Sequence, residues 1–424
     1  MENNTFILET LKEQVKPALG CTEPIAAAYA VSAAKDLLDG SVEKIEIVVD
    51  KNVFKNAMGV GIPGTDQKGL KTAAALALVC GKTENKLEVL KDINEKHIYK
   101  ATELIEKDII SISADEEING LYIQVTAKNE KNSAKVIIMG KHDNIVLMQK
   151  NEEILFKDMP DSQGKIPSCE TIKKFSIADF VAFSNNTPLT NLNLVKHAIE
   201  MNRKLADAGI KEHPTIDDIF ENGKNNNNIY YKEYAKKITY AACNARMTGY
   251  PLSVMSCAGS GNHGLMATLP IAAIGEAKNI DEEKIIRGVT LSLLVTIYVK
   301  AFTGLLSPVC GCGVAAGLGA SAGITYILGG NLTQIEGAVK NMVGGITGII
   351  CDGGKPGCAF KLVISTEAAV DAALMALNNI FISHNDGIID KTTEQSIKNL
   401  GRVSTEGMTN TDETILDIMI KKCP

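Results

Sequence analysis

The feature that most constrains this chain is a pair of cysteine clusters, Cys310-Gly-Cys312 and Cys351-Asp-Gly-Gly-Lys-Pro-Gly-Cys358, set in turns of glycine and proline. Apolar segments rich in glycine and alanine, with helical character, separate the two clusters. Thiolates are ligands of zinc and of iron–sulfur clusters. Because the spacings are not those of a zinc ribbon, the stretch predicts a different soft-metal site. The alternative is a set of buried, unreactive cysteines.

Composition limits the partners that such a chain can have. With 424 residues it can form one large core or two domains. A net charge of −6, no tryptophan and 5% aromatic residues argue against nucleic acid, because basic surface and stacking rings are both scarce. The N-terminus lacks the basic run and apolar core of a secretory signal. We therefore expect a cytoplasmic protein with reduced or metal-bound cysteines, and leave open whether it is a homo-oligomer.

Hydrophobic periodicity divides the chain into three segments. For residues 1–40 we expect a helical segment that packs on the C-terminal part, with Thr22 capping its second helix. Residues 41–155 predict an α+β domain with an antiparallel meander, and residues 170–424 predict a mostly α-helical domain that carries the cysteine clusters. The most apolar helix candidate, Gly288 to Val299, is shorter than the roughly 20 residues of a membrane span, so we expect no membrane insertion. The predicted strands are 44–50, 108–113, 121–126, 134–139 and 144–148.

Cys21 lies just before the start of the second helix, in Pro17-Ala-Leu-Gly-Cys-Thr-Glu-Pro24. The positive end of a helix dipole favours a thiolate, so Cys21 is a candidate reactive thiol, with a structural turn cysteine as the alternative. The stretch Lys55 to Thr65 holds three glycines and a proline, which predicts a loop that approaches a ligand or a plain turn. A phosphate loop is not expected, because no Gly-Lys-Ser/Thr follows.

A third stretch, Ser256 to Gly264, places a glycine-rich turn before a helix. Backbone amides at a helix N-terminus bind anions, so this turn predicts a site for a substrate carboxylate. Ser260 and Asn262 add side-chain donors, and His263 is a candidate acid or base. The motif is also similar to the cofactor loop of pyridoxal-dependent dehydratases, but the basic, glycine-containing motif around a Schiff-base lysine is missing.

Together these motifs resemble those of the L-cysteine desulfidases, relatives of the α domain of the iron–sulfur L-serine dehydratases, along nearly the whole chain. The resemblance implies an oxygen-sensitive [4Fe–4S] cluster with one iron open to substrate, and β-elimination of L-cysteine to pyruvate, ammonia and sulfide. It implies that Cys351, Cys358 and one cysteine of the Cys310–Cys312 pair are ligands; Cys312 is our choice.

The resemblance further implies that Cys21 is the catalytic base, with His263 or Lys361 as alternatives. The residues expected to bind substrate are Asn56, Gly259, Ser260, Gly261 and Asn262. Because the last two ligands are closer in sequence than in the dehydratases, L-serine remains an alternative substrate. A cluster-binding protein without turnover is a third possibility. Iron–sulfur dehydratases can also use a C-terminal cysteine as a self-inhibiting ligand, which would correspond to Cys423 here.

Overall fold

The computed structural model describes residues 2–115, 117–118, 120–159, 167–220 and 227–422. The N-terminal part contains α1 (Glu2–Gln14), β1 (Val15–Leu19), α2 (Thr22–Asp36), β2 (Lys44–Asp50), α3 (Lys51–Ala57), α4 (Gly69–Cys80), α5 (Glu95–Glu106), β3 (Ile110–Asp115), β4 (Tyr122–Lys128), β5 (Ser133–Met139), β6 (Ile145–Lys150) and β7 (Glu153–Lys157). The C-terminal part contains α6 (Pro167–Ile172), α7 (Ile177–Asn186), α8 (Asn193–Glu212), α9 (Thr215–Phe220), α10 (Asn227–Thr248), β8 (Ser253–Cys257), α11 (Gly261–Ala277), α12 (Glu282–Thr303), α13 (Ala316–Ile327), α14 (Leu332–Ile346), α15 (Cys358–Leu377), α16 (Thr393–Arg402) and α17 (Thr411–Lys422).

Six strands of the N-terminal part form one sheet in the order β3-β2-β4-β5-β6-β7. Alternate residues of β2 (Ile45, Ile47 and Val49) are buried, because successive side chains of a strand point to opposite faces. This face packs against α2 and α4 in one apolar core. The α+β region with a small antiparallel sheet, predicted from the sequence, is confirmed.

The position of β3 differs from the predicted meander. It pairs with β2 in parallel, and β2 in turn pairs antiparallel with β4. Parallel neighbours need a long crossover, which α3, α4 and α5 supply between the two strands. The edge strand β7 was not among the predicted strands, and all five of its residues are exposed.

The C-terminal part is the predicted large helical domain. Helices α11, α12 and α13 form its centre, since most of their residues are buried. Among the described residues, α12 is the helix long and apolar enough to cross a membrane by length and composition. However, 83% of its most apolar window is buried inside the protein, as in a core helix.

A short two-stranded ribbon joins the two parts. Strands β1 and β8 pair antiparallel, with Val15 opposite Cys257 and Leu19 opposite Ser253. Neither strand was predicted, because each is short and β1 contains Pro17. The segment 1–40 is divided at this ribbon: α1 belongs to the helical core, whereas α2 belongs to the core of the sheet. The antiparallel pairing puts the turns before α2 and α11 at opposite ends of the ribbon, and the start of α2 returns to the second turn through Thr22, whose hydroxyl lies 3.0 Å from the carbonyl of Gly259.

Candidate active site

One cavity collects almost all of the residues singled out in the sequence. Those that line it are Cys21, Asn56, Gly259, Ser260, Asn262, His263, Cys312, Cys351 and Cys358. Gly261 is not among the lining residues. A Cβ atom at Gly261 would lie 2.4 Å from Nε of Arg246, so this glycine makes room for the guanidinium group.

Backbone pairing places the two cysteine clusters side by side. The amide of Cys310 donates to the carbonyl of Ile349 at 2.8 Å, and the amide of Cys351 donates to that of Pro308 at 2.7 Å. These two bonds frame an antiparallel bridge between Val309 and Ile350. Clusters 39 residues or more apart in sequence thus open into the same cavity, and both Cys310 and Cys312 line it. The choice of Cys312 over Cys310 stays a prediction.

The donors at this position fit an iron–sulfur cluster. Four thiols line one cavity, and cysteine thiolates are the ligands that hold iron–sulfur clusters. Among the described residues no group of three His, Cys, Asp or Glu side chains is placed to hold a single metal ion. Buried or half-buried lysines surround the thiols: Lys300 and Lys361 line the cavity, and Nζ of Lys55 donates to the carbonyl of Cys351 at 3.1 Å. These cations offset the negative charge of thiolate ligands.

The surroundings of Cys21 oppose the thiolate that the helix dipole would favour. Its Sγ donates to Oε2 of Glu23 at 3.0 Å, and Nδ2 of Asn56 donates to Oε1 of the same carboxylate at 2.9 Å. Burial and the negative charge of Glu23 raise the pKa of Cys21 well above its usual value. The start of α2 therefore does not give a resting thiolate, because desolvation and the adjacent carboxylate outweigh the helix dipole.

Glu23 itself is held as a carboxylate. Burial alone would raise its pKa, but His142 and the hydrogen bonds from Cys21 and Asn56 lower it on balance. The hydroxyl of Thr22 donates to the same Oε2 at 3.1 Å and also contacts the carbonyl of Gly259 at 3.0 Å. A thiol and a carboxylate in direct contact form a pair through which a proton can move.

His263 is fixed by the ribbon rather than exposed to solvent. Its Nδ1 lies 3.0 Å from the carbonyl of Cys257 and therefore donates to it. Burial and the charge of Lys300 lower the pKa of His263 to about 3, so the ring is neutral near neutrality. Its Nε2 is directed at Gly311, where a Cβ atom would lie only 2.3 Å away. This ring packs against the turn that carries Cys310 and Cys312.

Arg246 of α10 holds the turns around the cavity. It donates to Oδ1 of Asn262 at 2.9 Å and to the carbonyl of Gly20 at 2.7 Å. Asn262 also donates from Nδ2 to Sδ of Met247 at 3.5 Å. The Asn262 side chain is thus largely occupied by protein partners, which leaves Ser260 as the better-placed donor for a substrate carboxylate.

The glycine loop after α3 serves packing. Amides of Gly61 and Gly64 donate to the carbonyls of Met247 and Gly249 at 3.1 and 2.9 Å. A Cβ atom at Gly61 would lie 2.6 Å from the backbone of Thr248, so close chain approach explains this glycine. These two amides are therefore engaged by backbone carbonyls, whereas Asn56 near the start of the stretch lines the cavity.

Four titratable lining residues were not singled out from the sequence: Glu23, His142, Arg246 and Lys300. Lys300 had a usable signal, since a lysine at the end of a long apolar helix becomes buried. His142 and Arg246 had none, because each is an ordinary polar residue far in sequence from the motifs. Cys423 lies outside the described residues.

The same cavity is thus lined by four cysteine thiols of the helical domain and by the Cys21–Glu23 pair. The family model described as serine dehydratase alpha chain matches residues 84–417. The chain therefore belongs to the serine dehydratase alpha chain family, which implies a lyase with an iron–sulfur cluster.

Similar proteins extend over the whole chain. A UPF0597 protein of Clostridium tetani is 51% identical and one of Caldanaerobacter subterraneus is 49% identical, each over 100% of both chains. A UPF0597 protein of Clostridioides difficile is 39% identical over 97% of this chain and 98% of its own length. The resemblance inferred from the motifs is confirmed at the level of the family.

Proposed function

We propose that this protein is an L-cysteine desulfidase, which converts L-cysteine to pyruvate, ammonia and sulfide. The observation that carries the proposal is the position of Cys21 beside the turn of Cys351 and Cys358. A Cβ atom at Gly354 of that turn would lie 3.4 Å from Sγ of Cys21. A substrate with its sulfur at the thiol clusters therefore brings its α-carbon within reach of the Cys21–Glu23 pair.

A [4Fe–4S] cluster would be held by Cys351, Cys358 and one of Cys310 and Cys312, and when bound it supplies a Lewis-acidic iron for the substrate sulfur. Cys21 acts as the base that removes the α-proton, after Glu23 has accepted the thiol proton across their 3.0 Å contact. Ser260 and the amides at the start of α11 bind the carboxylate and so aim Cα at the base.

A thiolate-ligated iron centre would be soft, and soft metal centres prefer soft ligands. A substrate sulfur therefore suits this site better than a substrate oxygen does. The family match to serine dehydratases supports L-serine as the second candidate substrate. In that case the same base and carboxylate contacts would serve, and the products would be pyruvate and ammonia.

The test is anaerobic purification followed by absorbance, iron and sulfide analysis, and assays of sulfide release from L-cysteine and ammonia release from L-serine on the same sample. Cys351→Ala should lose cluster and activity, whereas Cys80→Ala on α4, whose cysteine does not line the cavity, should keep both. If the protein acted on L-serine and not on L-cysteine, L-serine would be the substrate in place of L-cysteine. A full cluster without turnover of either amino acid would favour a binding protein.

A further inference from the structure

His142 is a buried histidine that the proposed mechanism does not yet use. It lies in the turn between β5 and β6 and is 4% exposed. Neither ring nitrogen has a hydrogen-bond partner among the described residues. A buried imidazole without partners is costly, so its position points to a group that it meets only during the reaction.

The ring of His142 lies between two cavities. One is the thiol-lined cavity. The other is lined by His142 together with the charged side chains of Glu13, Lys16, Lys141 and Asp143. The side chains of Lys16, Lys141 and Glu13 are each about one third exposed, so the second cavity leads towards solvent. The polar ring of His142 thus separates the cavity of the candidate base from the cavity that leads to solvent.

Space for the ring is provided by Gly259. A Cβ atom there would lie 3.4 Å from Nδ1 of His142 and 2.7 Å from Cδ1 of Leu305. Towards the active cavity the charge that acts most strongly on His142 is that of Glu23; Asp143 and Arg246 act more weakly. Burial lowers the pKa of His142, which keeps the ring neutral and able to accept a proton.

We propose that Cys21, Glu23 and His142 form a proton relay that connects the base of the active cavity to the second, solvent-facing cavity. The proposal rests on the proposed function, because it gives Cys21 a path for the proton that it must lose before it can accept one from Cα. His142 is a positioning and proton-transferring residue that acts through Glu23, without contacting the substrate.

The relay balances over one turnover. In the resting site the proton is on Cys21. It passes to Oε2 of Glu23 and then, through water in the thiol-lined cavity that both side chains line, to one ring nitrogen of His142, while the other ring nitrogen releases a proton to water in the second cavity. The Cys21 thiolate formed in this way takes the α-proton, and the Cα–H electron pair forms the Cα–Cβ double bond while the Cβ–S bond breaks with its pair on sulfur. The turnover therefore ends with the thiol, the carboxylate and the neutral imidazole with which it began.

The test uses the anaerobic holoenzyme and its His142→Asn and His142→Gln variants, with His197→Asn on the exposed face of α8 as the control. We expect both His142 variants to keep the cluster absorbance and the KM for L-cysteine, and to lose roughly tenfold or more in kcat, as for loss of a proton-transfer group. Added imidazole should restore part of kcat, and the solvent deuterium isotope effect on kcat should rise. The control should match the wild type in all four measurements.

Unchanged kcat in either His142 variant would overturn the relay. A lower kcat that comes with loss of iron and is not rescued by imidazole would also overturn it, because that result shows a structural role. If the wild type releases no sulfide from L-cysteine but acts on L-serine, the proposed function fails while the same variants, assayed with L-serine, still test the relay.

Discussion

Lys55 of α3 and Asp412 of α17 form a buried ion pair, with their side chains 1% and 8% exposed. The same Nζ donates to the carbonyl of Cys351 at 3.1 Å. A single ammonium group thus ties the C-terminal helix and the sheet region to the turn that carries two of the expected ligands.

Replacement of Asp412 by Asn should therefore destabilise the protein and the ligand turn together. Loss of one partner leaves the Lys55 charge buried without compensation, which typically costs about 3–5 kcal/mol. We expect a lower urea midpoint and fewer irons per chain under anaerobic conditions. Asp417→Asn is the control, because Asp417 pairs with Lys421 on the surface of the same helix. Equal midpoints for the two variants would show that the buried pair is unimportant.

The ligand set predicts a graded response to cysteine substitution. Wild-type protein should carry about four irons and four sulfides per chain. Cys351→Ala and Cys358→Ala should each lose most of them. Cys310→Ala and Cys312→Ala should differ sharply, because one of the pair is the third ligand. Full clusters in both Cys351→Ala and Cys358→Ala would exclude the assignment.

The base should be separable from the cluster. Cys21→Ala should keep its iron content and absorbance yet lose roughly 10²–10⁴-fold in kcat, as for loss of a general base. Iron analysis and steady-state kinetics on one preparation measure both. Turnover at the wild-type rate would move the role of base to His263 or Lys361.

The Cys21–Glu23 contact predicts the pH dependence of the reaction. The pKa of Cys21 is raised, first by burial and then by the Glu23 charge, so kcat should increase as pH rises through the alkaline range and the thiol ionises. Glu23→Gln removes a negative charge that disfavours thiolate, which lowers the Cys21 pKa. The rise of kcat with pH should then occur at lower pH. The maximal kcat should fall, because the acceptor of the Cys21 proton is lost. The measurement is the pH profile of kcat for the wild type and for Glu23→Gln. An alkaline rise of kcat at the same pH in both proteins would contradict the effect of Glu23 on the Cys21 pKa.

Substitution of Gly259 should be harmful for two reasons, its backbone conformation and its contacts with neighbouring side chains, and a control variant separates them. Its φ is +78°, and a Cβ atom would collide with Leu305 and press on His142. Gly120 has φ +94° with nothing within 4 Å of such an atom, so Gly120→Ala reports the cost of the backbone conformation alone. We expect Gly259→Ala to lower both thermal stability and kcat beyond the Gly120→Ala control. Equal effects in the two variants would argue against contact with His142.

Features set by neighbouring residues could be predicted from the sequence. Cys351 and Cys358 share one turn, and Ser260 to His263 share one helix start, so their types and spacing identify them without a fold. The alternation of β2 and the long apolar pattern of α12 likewise fix their structure locally, because period and burial are properties of a single segment.

Only the tertiary structure placed Cys21, Glu23, His142 and Arg246 around one cavity. The Cys21–Glu23 pair, His142 and Arg246 lie more than 100 residues from one another in sequence. Their meeting depends on the β1–β8 ribbon and on the crossover between β2 and β3, neither of which the periodicity predicted. The reactivity of Cys21 also depended on the fold. The helix dipole acts within its own segment and favours a thiolate, whereas burial and the Glu23 carboxylate, fixed by Asn56 from α3, act through space and keep the proton on sulfur.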